Sequence, residues 1–210
     1  MTFAGVLKGT AIVCIVVLMS IGVLIISLNV LEFFATSDNS ETQDTAIADT
    51  TLQYVSEIPL LDEPQPLPDL HFVNEDGRAL TLADFESKTV LLNIWATWCV
   101  PCRREMPALD RLQTELGGPL FEVLALSIDR QGVPEVKKFY DEYDLEALRI
   151  YVDTSGKTAR DLGVVGIPTT LLIDGNGNEL GRMIGPAEWD APELLSFFRD
   201  QLAASELVNP

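Results

Sequence analysis

The sequence predicts an α/β domain, with a sheet covered by helices on both faces, over the last two thirds of the chain. Two runs, Thr89–Trp95 and Leu120–Ile128, are apolar almost throughout, which is typical of buried parallel strands. Helical patterns follow them at Pro101–Leu116 and Pro134–Tyr143. The alternation then ends on a hairpin and a helix, and this order of elements favours an α/β sheet.

The first predicted element is a membrane anchor in residues 1–35. No charged residue occurs from Gly9 to Leu31, and a helix of that length would cover about 34 Å, enough to cross a bilayer core. Lys8 precedes the span and Glu32 follows it, which predicts a cytoplasmic N-terminus and an exported remainder. A cleaved signal peptide is the alternative, but its apolar region would be shorter. We therefore expect a single-pass protein of the inner (cytoplasmic) membrane whose domain faces the periplasm.

Residues 36–66 are predicted to be an acidic, flexible linker, and residues 67–210 the folded domain. The linker sequence is polar and without periodicity at its start and rich in proline at its end, so it offers little apolar area to bury. The domain should contain further short elements in chain order. These are a hairpin of Asp69–Phe72 with Ala79–Leu82, a strand Leu148–Val152, a helix Thr154–Leu162, a hairpin of Thr169–Ile173 with Glu179–Ile184, and a helix Asp190–Ala204.

Composition excludes several classes of function. With 14 Lys and Arg against 32 Asp and Glu, the net charge is −18, so the chain lacks the basic surface that nucleic-acid binding by counterion release needs. Three cysteines are too few for a disulfide scaffold. The single histidine, His71, argues against most zinc enzymes and Ser–His–Asp hydrolases.

The chemistry is predicted to lie at Cys99 and Cys102, two cysteines separated by Val100 and Pro101 where a buried strand ends and a helix begins. Free N–H groups at a helix start favour a thiolate at Cys99. Pro101 suits the first helical turn because its missing N–H would have no partner there. Half of a zinc site and a purely structural disulfide are the alternatives, but zinc would need two more ligands.

The run Asn93-Ile94-Trp95-Ala96-Thr97-Trp98-Cys99-Val100-Pro101-Cys102-Arg103-Arg104-Glu105-Met106-Pro107 resembles the active-site segment of membrane-anchored thioredoxins of the TlpA/ResA type, and of TlpA most closely. The resemblance covers roughly residues 67–205. It implies a thioredoxin-like fold with an N-terminal β-hairpin and a central insertion, placed around residues 113–148, preceded by one transmembrane helix. It also implies a redox-active disulfide between Cys99 and Cys102, and no organic or metal cofactor.

Other site residues follow from the same resemblance. The segment Gly166-Ile167-Pro168-Thr169 is similar to the loop of the family that carries a cis-proline and faces the CxxC motif. Pro168 is implied to present the preceding backbone to a substrate chain. Substrate contacts are expected from five residues around the cysteines: Trp98, Val100, Pro101, Ile167 and Thr169.

The sequence departs from plain thioredoxins at Asn93, which stands where those proteins bury an aspartate. An amide cannot exchange protons near neutral pH. Glu105 stands where ResA-type proteins carry an acidic residue, and we expect it to raise the thiol pKa values and to move protons during exchange. The alternative is a solvated glutamate that pairs with Arg104 or Arg111.

These observations predict a membrane-tethered thiol:disulfide oxidoreductase that acts as a reductant. By resemblance, its partners are protein disulfides of apocytochrome c or of proteins that assemble the copper site of cytochrome oxidase, and it is recharged by a transmembrane electron-transfer protein. No nucleic acid is expected as a partner. Two alternatives remain: a thiol peroxidase of the redoxin group and a carrier that binds copper through its CxxC thiolates.

Overall fold

A computed structural model describes residues 58–208, and side chains as far as residue 204. The predicted anchor and most of the predicted linker lie outside the described residues. Within residues 58–208, none of the helices combines the length and the apolar character that a bilayer crossing requires.

One mixed sheet forms the centre of the described domain. Its eight strands lie in the order β1-β8-β7-β4-β5-β6-β2-β3. The strands are β1 Leu60–Pro66, β2 Phe72–Asn74, β3 Ala79–Leu80, β4 Thr89–Trp95, β5 Phe121–Ser127, β6 Tyr151–Val152, β7 Thr169–Ile173 and β8 Asn178–Ile184. Strands β4, β5 and β6 are parallel to one another, whereas β7 is antiparallel to β4. This central arrangement confirms the predicted α/β class.

Within the described residues, four α-helices and one 3-10 turn connect and cover the strands. The 3-10 turn is Leu82–Phe85, and the helices are α1 Val100–Leu116, α2 Val133–Glu142, α3 Lys157–Asp161 and α4 Pro192–Val208. The predicted hairpin of Thr169–Ile173 with Glu179–Ile184 is present as β7 and β8. The other hairpin pairs β2 with β3, but its first strand is Phe72–Asn74 and not the predicted Asp69–Phe72. The predicted helix Thr154–Leu162 is shorter, because Gly156 adopts a left-handed conformation immediately before it.

The segment Leu60–Pro66, which the sequence assigns to the linker, is instead a strand at the edge of the sheet. It pairs antiparallel with β8, and all seven of its residues are exposed. An edge strand that buries no side chain has no apolar alternation, and it tolerates the prolines that indicate a linker. The close approach of β1 to β8 depends on Gly181 in β8, where a Cβ atom would clash with the carbonyl oxygen of Pro59. The folded domain thus starts before residue 67.

The alternation of side chains along β4 determines what surrounds the site. Leu91 and Trp95 pack into the cluster that also contains residues of α1, α2 and α4. The intervening residues, such as Leu92 and Ile94, pack into a second cluster on the opposite face with residues of α3. Asn93 lies between Leu91 and Trp95 in this alternation and therefore faces α1, the helix that carries the CxxC motif.

Candidate active site

Cys99 and Cys102 form a disulfide at the start of α1, directly after β4. Their Cα atoms are 5.3 Å apart. Cys99 is the N-cap residue of α1 and is 6% exposed, whereas Cys102 is fully buried. Cys99 is therefore the sulfur that an incoming thiolate or disulfide reaches first.

The backbone of α1 is arranged to stabilise negative charge on Cys99. The backbone N–H of Cys102 donates to Cys99 Sγ at 3.3 Å. A helix N-terminus places further free N–H groups and the positive end of its dipole there. When the disulfide is reduced, these groups favour the thiolate of Cys99 over that of Cys102, so Cys99 is the better nucleophile.

The loop before β7 lies against the disulfide, as the resemblance implies. The Ile167–Pro168 peptide bond is cis, and the carbonyl oxygen of Ile167 lies 3.7 Å from Cys99 Sγ. Thr169 is 1% exposed and its hydroxyl donates to the carbonyl of Gly166 at 2.6 Å. Thr169 thus closes the loop with its side chain, and the residue as a whole, backbone included, is buried between β4 and β8.

Glu105 is buried one helical turn after Cys102, with 1% of its surface exposed. Its Oε1 accepts from Asn93 Nδ2 at 2.9 Å. Its Oε2 accepts from the backbone N–H of Ala187 at 3.0 Å and from Trp189 Nε1 at 2.9 Å. Burial raises the pKa of Glu105 to about 7, and the three donors only partly offset this. Glu105 therefore titrates in the range where thiol exchange takes place.

The solvated alternative for Glu105 is wrong. Its carboxylate is enclosed, and Arg111 pairs instead with Asp190 at 2.5 Å. The sequence carried a signal for this burial: Cys102, Glu105, Leu109 and Leu112 follow one another at helical spacing on one face of α1.

Asn93 connects β4 with α1 and β7. Its Nδ2 donates both to Glu105 Oε1 and to Thr170 Oγ1, each at 2.9 Å. Its Oδ1 is buried and has no hydrogen-bond partner among the described residues. Asn93 is thus one of the three groups that donate to the titrating carboxylate, although an amide itself does not titrate.

Asp129 is a residue that sequence reasoning missed. It is fully buried and accepts from the backbone N–H of Thr97 at 2.9 Å and from the hydroxyl of Thr97 at 2.8 Å. The hydroxyl of Ser127 donates to it at 2.7 Å. Asp129 therefore fixes the turn that leads into Cys99. No periodicity indicates this, since its partner lies 32 positions earlier.

Two large apolar side chains flank the cysteines on the surface. Trp98 and Val100 are each 63% exposed, and Pro101 is half-buried beside them. Trp95 instead is fully buried and stacks on Tyr140 with ring centroids 6.1 Å apart. A cavity of about 660 Å³ is lined by Glu122 and Arg149, among other residues, and neither cysteine lines it. The surface available to a protein substrate is thus the face around Trp98 and Val100.

Comparison with known proteins agrees with this geometry. The redoxin family profile matches residues 62–196. The thiol-disulfide oxidoreductase ResA of Bacillus cereus is 32% identical over 132 residues, which cover 63% of this chain and 75% of ResA. The thiol:disulfide interchange protein DsbE of Pseudomonas aeruginosa is 33% identical over 150 residues, which cover 70% of this chain and 77% of DsbE.

A solved structure is similar as well. The crystal structure described as a putative thiol:disulfide interchange protein DsbE from Chlorobium tepidum aligns with a TM-score of 0.56 and 30% sequence identity. The alignment covers 69% of this chain and 98% of that one. The predicted thioredoxin-like fold is confirmed by this likeness.

Proposed function

This chain belongs to the redoxin family and is a thiol-disulfide oxidoreductase of the TlpA/ResA type, and from this premise we propose that it reduces disulfides in exported proteins while tethered to the inner membrane. The observation that carries the proposal is the Cys99–Cys102 disulfide at the start of α1, against the cis-proline loop. The predicted span Gly9–Leu31 and the positive charge before it support the tether and the periplasmic orientation.

The reaction starts from the reduced dithiol. The thiolate of Cys99 attacks one sulfur of a substrate disulfide, and the other substrate sulfur leaves as a thiolate that takes up a proton. Cys102 then loses its proton and attacks Cys99 Sγ. The Cys99–Cys102 disulfide forms, the second substrate thiolate is released, and two electrons have passed from the enzyme to the substrate.

We assign the proton of Cys102 to Glu105. Glu105 lies three residues after Cys102 on the same helix, so the two side chains leave the same face of α1. Its pKa of about 7 allows it to accept a proton in the resolving step and to release it afterwards. While charged, it also opposes the formation of a thiolate nearby. A less stable thiolate is a poorer leaving group, which suits a reductant.

The cis-proline loop, residues 166–169, offers a backbone contact to a substrate segment. Pro168 is buried and presents the carbonyl of Ile167 next to Cys99. Trp98 and Val100, the two neighbours of Cys99 in the sequence, offer an exposed apolar surface. We expect an extended substrate segment that contains a disulfide to contact both the loop and these two side chains.

By resemblance, the substrates are apocytochrome c, or cysteines of the copper site of cytochrome oxidase and of its assembly factors. One branch of cytochrome c maturation thioredoxins has a Gly-x-Pro-Glu-Thr loop, and Thr169 stands where that glutamate would be. This favours the TlpA-like branch. Electrons would return to Cys99 and Cys102 from a transmembrane electron-transfer protein.

The test is to trap the mixed disulfide in cells. Cys102→Ser removes the resolving thiol, so adducts through Cys99 should accumulate and dissolve in a reducing gel. The matched control is Cys99→Ser with Cys102→Ser, which keeps Cys14 as the remaining cysteine and should trap nothing. Exported proteins with paired cysteines among the trapped partners support the proposal. Adducts that persist in the double variant, or partners that are only cytoplasmic, would overturn it.

A further inference from the structure

The cations of the domain are distributed unevenly between paired and unpaired positions. Nine of its 13 Lys and Arg residues lie within 4.0 Å of a carboxylate oxygen. They are Arg78, Lys88, Arg103, Arg111, Lys137, Arg149, Lys157, Arg182 and Arg199. Arg104, Arg130, Lys138 and Arg160 have no such partner among the described side chains, and all four are exposed. We call these four residues the cationic rim.

The cationic rim lies around the active-site surface. Arg130 and Arg160 line a cavity of about 520 Å³ together with Trp98. Lys138 lines a second cavity, of about 230 Å³, that Trp98 also borders. Each of these three cations therefore shares a cavity with the exposed indole next to Cys99.

Arg104 lines a different cavity, one of about 400 Å³ that Val100 borders. Arg103 also lines this cavity but does not belong to the cationic rim, because it is already paired. Its guanidinium donates to Tyr143 Oη at 2.7 Å and lies 3.8 Å from Glu142. Every cation without a carboxylate partner in the described domain thus lines a cavity that Trp98 or Val100, the two apolar residues that flank Cys99, also lines.

This placement is notable in a domain that carries 23 acids and 13 bases in residues 70–210. Away from the active site, carboxylates neutralise each Lys and Arg. The residues that line the three cavities include five cations but only two acids, Glu135 and Glu142. A locally positive surface on an acidic protein attracts a negatively charged partner and repels a positive one.

We propose that the cationic rim binds carboxylates of a substrate protein, so that this enzyme prefers disulfides flanked by Asp or Glu beside an apolar residue. The apolar residue would pack on Trp98 and the carboxylates would pair with the rim. This inference rests on the proposed function, since it describes the protein substrate of the same dithiol. It adds the chemical class of the substrate segment.

The experiment compares three peptides that contain one disulfide and differ only in the residues flanking it, which are Asp, Ser or Lys. The full-length reduced protein is mixed with each peptide, and the second-order rate constant of reduction is measured at low and at high ionic strength. Exposed ion pairs contribute about 1.4- to 5-fold each, so two contacts predict that the Asp peptide reacts about 2- to 25-fold faster than the Ser peptide. The Lys peptide should be the slowest, and the spread should shrink in about 0.5 M salt.

Charge reversal identifies the surface. Arg104→Glu with Arg130→Glu should remove or invert the preference for the Asp peptide over the Lys peptide. Arg78→Glu with Arg199→Glu makes the same change in net charge at two exposed cations that line none of the three cavities, and it should keep the preference.

The outcomes separate the two proposals. If the wild type does not reduce the Ser peptide, the proposed reductase function fails, and the rim proposal fails with it. If it reduces all three peptides at equal rates, or if the Arg104→Glu, Arg130→Glu variant keeps the wild-type preference, the rim proposal alone is overturned.

Discussion

Replacing Glu105 by Gln removes a buried charge, and we expect this to stabilise the domain above neutral pH. Burial raises the pKa of Glu105 from 4.5 to about 7. A carboxyl whose pKa is higher in the folded state binds its proton more tightly there. The contribution of Glu105 to the free energy of unfolding is therefore greatest below about pH 4.5, falls as the pH rises to about 7, and stays constant above that.

The size of the effect follows from the shift. A difference of about 2.5 pKa units corresponds to about 3 kcal/mol between low pH and pH 8. The amide of the Glu105→Gln variant cannot ionise, so the variant does not lose this stability as the pH rises. The variant should thus be more stable than the wild type by up to about 3 kcal/mol at pH 8, and the advantage should disappear near pH 4.5.

The hydrogen bonds around the new amide determine how much of this gain is realised. Ala187 N–H and Trp189 Nε1–H both donate to one oxygen of Glu105, so the carbonyl oxygen of Gln must lie there. Its NH₂ group then faces Asn93 Nδ2, which is also a donor. Rotation of the Asn93 amide resolves the conflict, because Oδ1, which lacks a partner within the described residues, can accept from the new amide and from the Thr170 hydroxyl.

The assay is urea unfolding of the oxidised protein from pH 4.5 to 8. The difference between wild type and Glu105→Gln isolates this group, since the other groups titrate in both proteins. Glu115→Gln is the matched control on the same helix, where the carboxylate is 54% exposed and pairs with Arg199. Its effect should stay below about 1 kcal/mol. A Glu105→Gln difference that does not change with pH would refute a buried, titrating carboxylate.

Three further predictions concern the same site and its location. Glu105→Gln should lower the pKa of the Cys99 thiol by roughly 0.5–1.5 units, measured as iodoacetamide alkylation against pH; superimposable profiles would remove Glu105 from thiol tuning. Trp189→Phe deletes a donor to Glu105, so the pKa of Glu105 should rise above its value of about 7, seen as a carboxylic C=O infrared band that persists to higher pH. An unchanged band would mean that the indole bond is unimportant. Alkaline phosphatase fused after Asp49 should be active, and activity of a cytoplasm-restricted reporter there instead would reverse the topology.

Part of the site could be predicted because its signals are local. The strand Thr169–Ile173 has the bounds that its β-branched and apolar run predicts. The helix after β4 begins next to Cys99, because the strand ends where apolar residues end and Pro101 suits a first turn. The position of the disulfide therefore followed from spacing and periodicity in one segment of the chain.

Other features depend on residues that are distant in the sequence. Strand β1 carries the sequence pattern of a linker, because its seven residues are all exposed and only its backbone joins the sheet. Backbone pairing leaves no pattern of apolar residues, so the strand could be found only when β8 was placed beside it.

The chemistry of this protein is already visible in the order of its residues, which predicts an α/β domain with a dithiol at a helix start and an acidic residue one turn later. The state of that acid depends on how the chain folds around it. The groups that enclose Glu105 come from Asn93 and from Ala187 and Trp189, the latter two more than 80 positions away. A pKa depends on burial and on nearby donors in space, and neither can be derived from the spacing of residues along the chain.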